Sequence, residues 1–136
     1  FLIGKLMYQM AKEIPGIEAV GGVSIGGDPL VCAVVLESYN KKDNLAGFLI
    51  RKEPKGHGTN RWVEGGKNLK KGMSVVILED VITTGGSSLR AIEVTEKEGY
   101  NVKGIVAILD RLEGGKEAIE SKGYLFRSIF TLKDLR

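Results

Sequence analysis

Apolar residues fall in short runs separated by glycine-bearing or charged breaks, and the spacing inside each run predicts its element. Leu2, Leu6, Met10 and Ile14 recur near helical spacing at the start of the chain, and Pro15-Gly16 ends that helix. Residues 19–23 form a short apolar strand leading into Ser24-Ile25-Gly26-Gly27-Asp28, and Pro29 stands where a second helix can begin. Residues 47–50 read as another strand. The stretch 51–71 has little apolar periodicity and reads as a long polar loop, uncommon unless functional. A strand at 74–78, a loop at 79–85 and a helix from about Gly86 to Glu98 come next, with Gly99 as the helix stop. Residues 102–109 are apolar apart from Lys103, as in a strand covered on both faces. A helix near 115–122, a strand at 126–130 and a closing helical turn at 131–135 complete the chain. Strands alternating with helices predict an α/β fold with a mostly parallel sheet. With no repeat or linker in the sequence, a single domain over 1–136 is expected.

Composition narrows the class without naming a chemistry. Apolar residues make up 43% and charged residues 27%, ordinary for a soluble domain. The net charge of +3 is too small to argue for nucleic acid. No segment reaches the roughly 18 consecutive apolar residues of a membrane span, so no membrane partner is expected. Lys5, Gln9, Lys12 and Glu13 suit an amphipathic helix better than a signal peptide. Cys32, the only cysteine, lies in an apolar run and is expected to be a small buried hydrophobe. One cysteine allows no intrachain disulfide, which points to a reducing, cytoplasmic setting. The chain opens at Phe1, without methionine and in what reads as mid-helix, suggesting that upstream residues have been lost.

The chemistry concentrates in residues 75–88. There a buried strand runs into Glu79-Asp80-Val81-Ile82-Thr83-Thr84-Gly85-Gly86-Ser87-Ser88. Ligands of parallel sheets bind at the carboxyl ends of the strands. Glycines let the backbone approach an anion, and the following helix aims free N–H groups and its positive dipole at it. Thr83, Thr84, Ser87 and Ser88 add hydroxyl donors. No lysine follows the glycines, so this is not a Walker loop. Adjacent carboxylates suit a bare phosphate poorly, but they suit a ligand that also carries hydroxyls. A ribose 5-phosphate satisfies both halves: its 2′- and 3′-hydroxyls meet the acids and its phosphate meets the loop. A plain strand-to-helix turn with an acidic cap needs no such combination.

A second cluster, Arg51-Lys52-Glu53-Pro54-Lys55-Gly56-His57-Gly58, gathers three fixed cations and the only histidine between glycines. Such cations can stabilise charge growing on a departing pyrophosphate, and the glycines permit the loop to close and exclude water. A solvated charged loop is the plain alternative.

Taken together these stretches resemble the orotate branch of the type I phosphoribosyltransferase family. Glu79-Asp80-Val81-Ile82-Thr83-Thr84-Gly85-Gly86-Ser87 resembles the motif binding 5-phosphoribosyl 1-pyrophosphate (PRPP), and Arg51 to Gly58 resembles the family's flexible catalytic loop. Weaker likenesses are 20–29 to the pyrophosphate loop, with Gly26 where some members carry lysine, Leu109-Asp110-Arg111-Leu112-Glu113, and the closing 129–135.

The resemblance implies the family fold, with helices on both faces of the sheet and its N-terminal hood missing here. It implies magnesium-dependent transfer of phosphoribose from PRPP to orotate, giving orotidine 5′-monophosphate and pyrophosphate in UMP biosynthesis. PRPP would be bound by Arg51, Lys52, Lys55, His57, Glu79, Asp80, Val81, Ile82, Thr83, Thr84, Gly85, Gly86 and Ser87. Lys55, His57 and Asp80 would be catalytic, and Thr83 and Arg111 would bind orotate. An ion pair with Glu113 is the plain alternative for Arg111. No metal site built from side chains is expected, since His57 has no second histidine or cysteine to join it. Magnesium would be held mainly by substrate oxygens. The resemblance also implies a homodimer in which the 51–58 loop reaches the neighbouring site. Transfer to another base, or a non-catalytic PRPP-binding regulator, stays open on the residues alone.

Overall fold

The computed structural model describes residues 2–24, 26–55, 61–65 and 69–135; the side chains of 52–55 and 61 are outside that description. Its elements are α1 (Leu2–Lys12), β1 (Ala19–Val23), α2 (Asp28–Asn40), β2 (Ala46–Lys55), β3 (Arg61–Glu64), β4 (Ser74–Ile82), α3 (Gly86–Lys97), β5 (Asn101–Asp110), α4 (Gly115–Ser121) and β6 (Leu125–Thr131). A 3₁₀ turn, Leu132–Leu135, follows β6. One six-stranded sheet has the order β3-β2-β1-β4-β5-β6, parallel throughout except for β3, which pairs antiparallel with β2.

Two apolar layers sandwich this sheet, and β4 shows how the sequence divides between them. Successive strand residues point to opposite faces. Val76 and Leu78 pack with Met7, Tyr8 and Ala11 of α1 and Val31 and Val34 of α2. Val75 and Ile77 pack with Ala91, Ile92 and Val94 of α3 and Ile119 of α4. β5 splits the same way, with Val106 on the first face and Ile105 and Ala107 on the second.

Four expectations need correction. The stretch 51–71 is not one long loop: β2 continues through Lys55 and pairs back with β3, so a hairpin edges the sheet. Glu79 to Ile82 continue β4 instead of forming a loop, because Val81 and Ile82 pair in register with Leu109 and Asp110 of β5. The inward stripe of α1 is Gly4, Met7, Tyr8 and Ala11, while Leu2 is exposed. Cys32 is exposed, since α2 turns Val31 and Val34 inward and leaves Cys32, Leu36 and Tyr39 on its outer side.

Outside the two cores, polar contacts fasten α1 to the turn after α2. The Tyr8 hydroxyl donates to Asp43 at 2.8 Å, and Lys12 lies 3.0 Å from the same carboxylate. Lys12 and Tyr8 hold the Asp43 pKa below its ordinary value, and burial with the Asp43 hydrogen bond pushes Tyr8 up to about 12.

Ile77, fully buried in the α3 layer, tests the sandwich. Ile77→Ala is expected to lower unfolding free energy by about 2–5 kcal/mol, measured by denaturant titration.

Candidate active site

The carboxyl edge of the sheet opens where β1 and β4 part. Their pairing ends at Gly22 with Leu78; β1 then turns through Ser24 into α2, while β4 runs on to Ile82 and, among the described residues, pairs there with β5 alone. α2 leads back to β2 on one side, and α3 leads on to β5 on the other. Such a reversal of strand order leaves a crevice beyond the strand ends, where ligands of open α/β sheets bind.

Tight backbone contacts shape both walls of this crevice. A Cβ on Gly27 would lie 2.7 Å from the Val23 nitrogen, so only glycine lets the loop fold back on the end of β1. Ser24 Oγ donates to Asp28 at 3.0 Å across the same turn. On the other wall Gly85 has φ +91, a left-handed conformation suited to glycine. A Cβ on Gly115 would stand 2.7 Å from the Thr83 oxygen. The Gly115 N–H donates to that oxygen at 3.0 Å, and the Arg111 N–H donates to the Ile82 oxygen at 3.0 Å. The Thr83–Gly86 turn is therefore held from β5 and α4 as well as from β4.

The two acids on β4 point to opposite faces. Asp80 is exposed, accepts the Val81 N–H at 2.8 Å, and faces the glycine loop after β1, where a Cβ on Gly26 would lie 3.7 Å from Oδ2. Glu79 is half-buried on the α3 side, and its Oε2 accepts the Ser88 hydroxyl at 2.6 Å. Burial raises the Glu79 pKa; the Ser88 hydrogen bond opposes that rise and the Asp80 charge adds to it. Thr83, Thr84, Gly86 and Ser87 are exposed around the start of α3, whose first N–H groups no side chain caps. This edge can therefore hold an anion at α3 and vicinal hydroxyls at the acids.

The remaining expected positions are placed as follows. Ile82 is buried against Gly115, so its side chain does not reach the crevice, whereas Val81 is exposed. Ser88, expected among the phosphate donors, is 1% exposed and turned onto Glu79. Arg111 follows β5 at the same edge, and its Nε lies 3.2 Å from Glu113, the plain alternative for that residue. Arg51 pairs with Glu64 across the hairpin. Lys52 and Lys55 are described as backbone of β2 only, and His57 lies outside the described residues.

Two features were not anticipated. Asp110, 2% exposed, accepts the Leu112 N–H at 2.9 Å and sets the turn that carries Arg111. An apolar cleft of about 280 Å³ lies between the hairpin and α3, with Trp62 and Arg51 on one side and Ser87 and Arg90 on the other. The Arg90 guanidinium stacks 5.1 Å from the Trp62 ring centre. The sequence carried no local signal for this contact, because the pairing of β3 is not visible in its four residues.

Comparison with known proteins agrees with this arrangement. The phosphoribosyl transferase domain family matches residues 9–129. The orotate phosphoribosyltransferase of Sorangium cellulosum is 48% identical over 133 residues, covering 98% of this chain and 69% of the relative. That of Aquifex aeolicus is 43% identical over 135 residues, covering 99% and 72%. A crystal structure of Mycobacterium tuberculosis orotate phosphoribosyltransferase in complex with PRPP superposes with a TM-score of 0.83 at 32% identity, covering 99% of this chain and 74% of that one. By this likeness in sequence and fold, the chain belongs to the phosphoribosyltransferase family, among the orotate phosphoribosyltransferases.

Proposed function

We propose that the crevice between β1 and β4 binds PRPP and transfers its phosphoribosyl group to orotate, yielding orotidine 5′-monophosphate and pyrophosphate, a step of pyrimidine biosynthesis. The observation that carries this reading is the pair of acids at the open end of β4 beside an uncapped helix N-terminus. Glu79 and Asp80 take the ribose hydroxyls. The backbone and hydroxyls of Thr83, Thr84, Gly85, Gly86 and Ser87 take the 5′-phosphate. The backbone of Val81 and Ile82 carries the acids into the loop. Arg51, Lys52, Lys55 and His57 meet the pyrophosphate, and Arg111 exchanges Glu113 for the carboxylate of orotate, with Thr83 beside the base.

In the reaction the bond from C1 of the ribose to pyrophosphate breaks and a bond from C1 to N1 of orotate forms. Positive charge grows on the ribose and negative charge on the leaving group. Asp80 and Glu79 fix the ribose, and Lys55 and His57 offset charge on the pyrophosphate. Magnesium bound together with PRPP would be held mainly by the substrate's own oxygens and would offset negative charge on the leaving group.

The reading extends to a single catalytic core over 1–136 and to a homodimer in which the 51–58 loop of one protomer reaches the other's site. Continuation of β2 past its last pairing with β1, Ile50 with Val23, supports such a reach. An exposed unpaired thiol at Cys32 suits a reducing cytoplasm.

Incubation with PRPP and orotate, uracil, adenine or hypoxanthine tests base choice, and pyrophosphate release with orotate alone is expected. Lys55→Ala is expected to lower turnover by about a hundredfold or more while PRPP affinity changes by less than about tenfold; near-normal turnover overturns the loop assignment. Glu79 carries a stability cost as well. Its folded-state pKa lies above the ordinary value, so the folded protein holds that proton more tightly and loses stability as pH rises through that interval. Glu79→Gln should therefore raise the melting temperature at pH 7. The gain should vanish below about pH 4, and PRPP should bind more weakly, though still measurably.

A further inference from the structure

Ser88 stands one residue beyond the phosphate-facing turn and does not face the crevice. At the third position of α3 its side chain rotates inward, leaving 1% of the residue exposed, and its hydroxyl reaches Glu79 Oε2 at 2.6 Å. A serine hydroxyl has one proton to give. It cannot serve a phosphate while it serves Glu79. Among the described residues Ser88 is also the one hydrogen-bond donor to the Glu79 carboxylate.

We propose that Ser88 is a positioning residue that ties down one oxygen of Glu79 and thereby presents the other, Oε1, to a ribose hydroxyl. The proposal rests on the reading of Glu79 as a ribose ligand. A glutamate has three side-chain torsions, and a half-buried one without a partner can turn toward solvent or take up a proton. The contact with Ser88 opposes both, because a hydrogen bond to the ionised form favours that form. The hydrogen bond is also anchored: Ser88 lies in a helix whose next turn, Ala91 and Ile92, is embedded in the core. Ligand geometry at the sugar is thus referred to the packed interior and not to the loop.

The electrostatic surroundings are simple enough to test. On this face α3 brings Arg90 and Glu93, and the hairpin brings the Arg51–Glu64 pair. Among the described residues the charge that acts on Glu79 is Asp80. Loss of the Ser88 hydroxyl removes the influence that lowers the Glu79 pKa and leaves the two that raise it.

Calorimetric titration of this chain with PRPP and magnesium provides the test, for Ser88→Ala, Ser88→Cys, Glu79→Gln and the double variant Ser88→Ala with Glu79→Gln. Ser88→Ala is expected to weaken PRPP binding about tenfold at neutral pH. The acid-side loss of binding should move to higher pH. Ser88→Cys, which keeps the shape with a weaker donor, should fall between it and the parent, and it carries the test if the alanine variant does not fold. In the Glu79→Gln background Ser88→Ala should change affinity less than about twofold, since both act through one contact. Equal losses in both backgrounds, or an unmoved acid limb, overturn the positioning role. Unchanged PRPP affinity in Glu79→Gln alone removes the ribose reading beneath it.

Discussion

Val75, Val76, Ile77 and Leu78 have no exposed surface, so the strand they form must be covered on both faces and flanked on both edges. That requirement places β4 between β1 and β5, draws α1 and α2 to one side, and draws α3 and α4 to the other. Everything at the site is measured from there. Once past Leu78 the strand leaves β1, and the same pleat that buried its apolar residues sends Glu79 and Asp80 to opposite walls of the opening. The acids are adjacent in sequence, yet each belongs to a different layer of the molecule.

The parts of this arrangement that were legible in the sequence are those written in local pattern. Four apolar residues in a row, followed by acids, threonines and glycines, mark a strand and a ligand-binding turn without further help. The parts that were not legible depend on partners distant in the chain. Residues 79–82 read as loop because the two acids break the apolar run and nothing local reveals that β5 supplies a ladder for them. The charged stretch after Ile50 read as loop because β3 is four residues long and its pairing is non-local. Cys32 was misplaced for a different reason: α2 is apolar nearly all round, so composition cannot say which side faces in. Ser88 was read with its neighbours as a phosphate donor, although one further step of about 100° around a helix turns a side chain from rim to interior.

Burial and function pull Glu79 in opposite directions. A carboxylate kept half out of water is less comfortable ionised, which is the state that accepts a hydrogen bond from a sugar. The Ser88 hydroxyl shifts that balance back toward the ionised form. Trade-offs of this kind are common where stability and activity meet in one residue.

The segment from Arg111 to Gly115 is stitched to the phosphate turn at both ends, through the Ile82 and Thr83 carbonyls. Between the stitches, Leu112 takes a left-handed backbone and Glu113 and Gly114 face solvent. Such an arch is interchangeable in a way the turn beneath it is not. Its crest can be rewritten, by drift or by loop grafting, while its two feet keep their hold on the Ile82 and Thr83 carbonyls. A change on the crest could thus arise without disturbing the glycine turn beneath it, so that one chassis can carry several different arches.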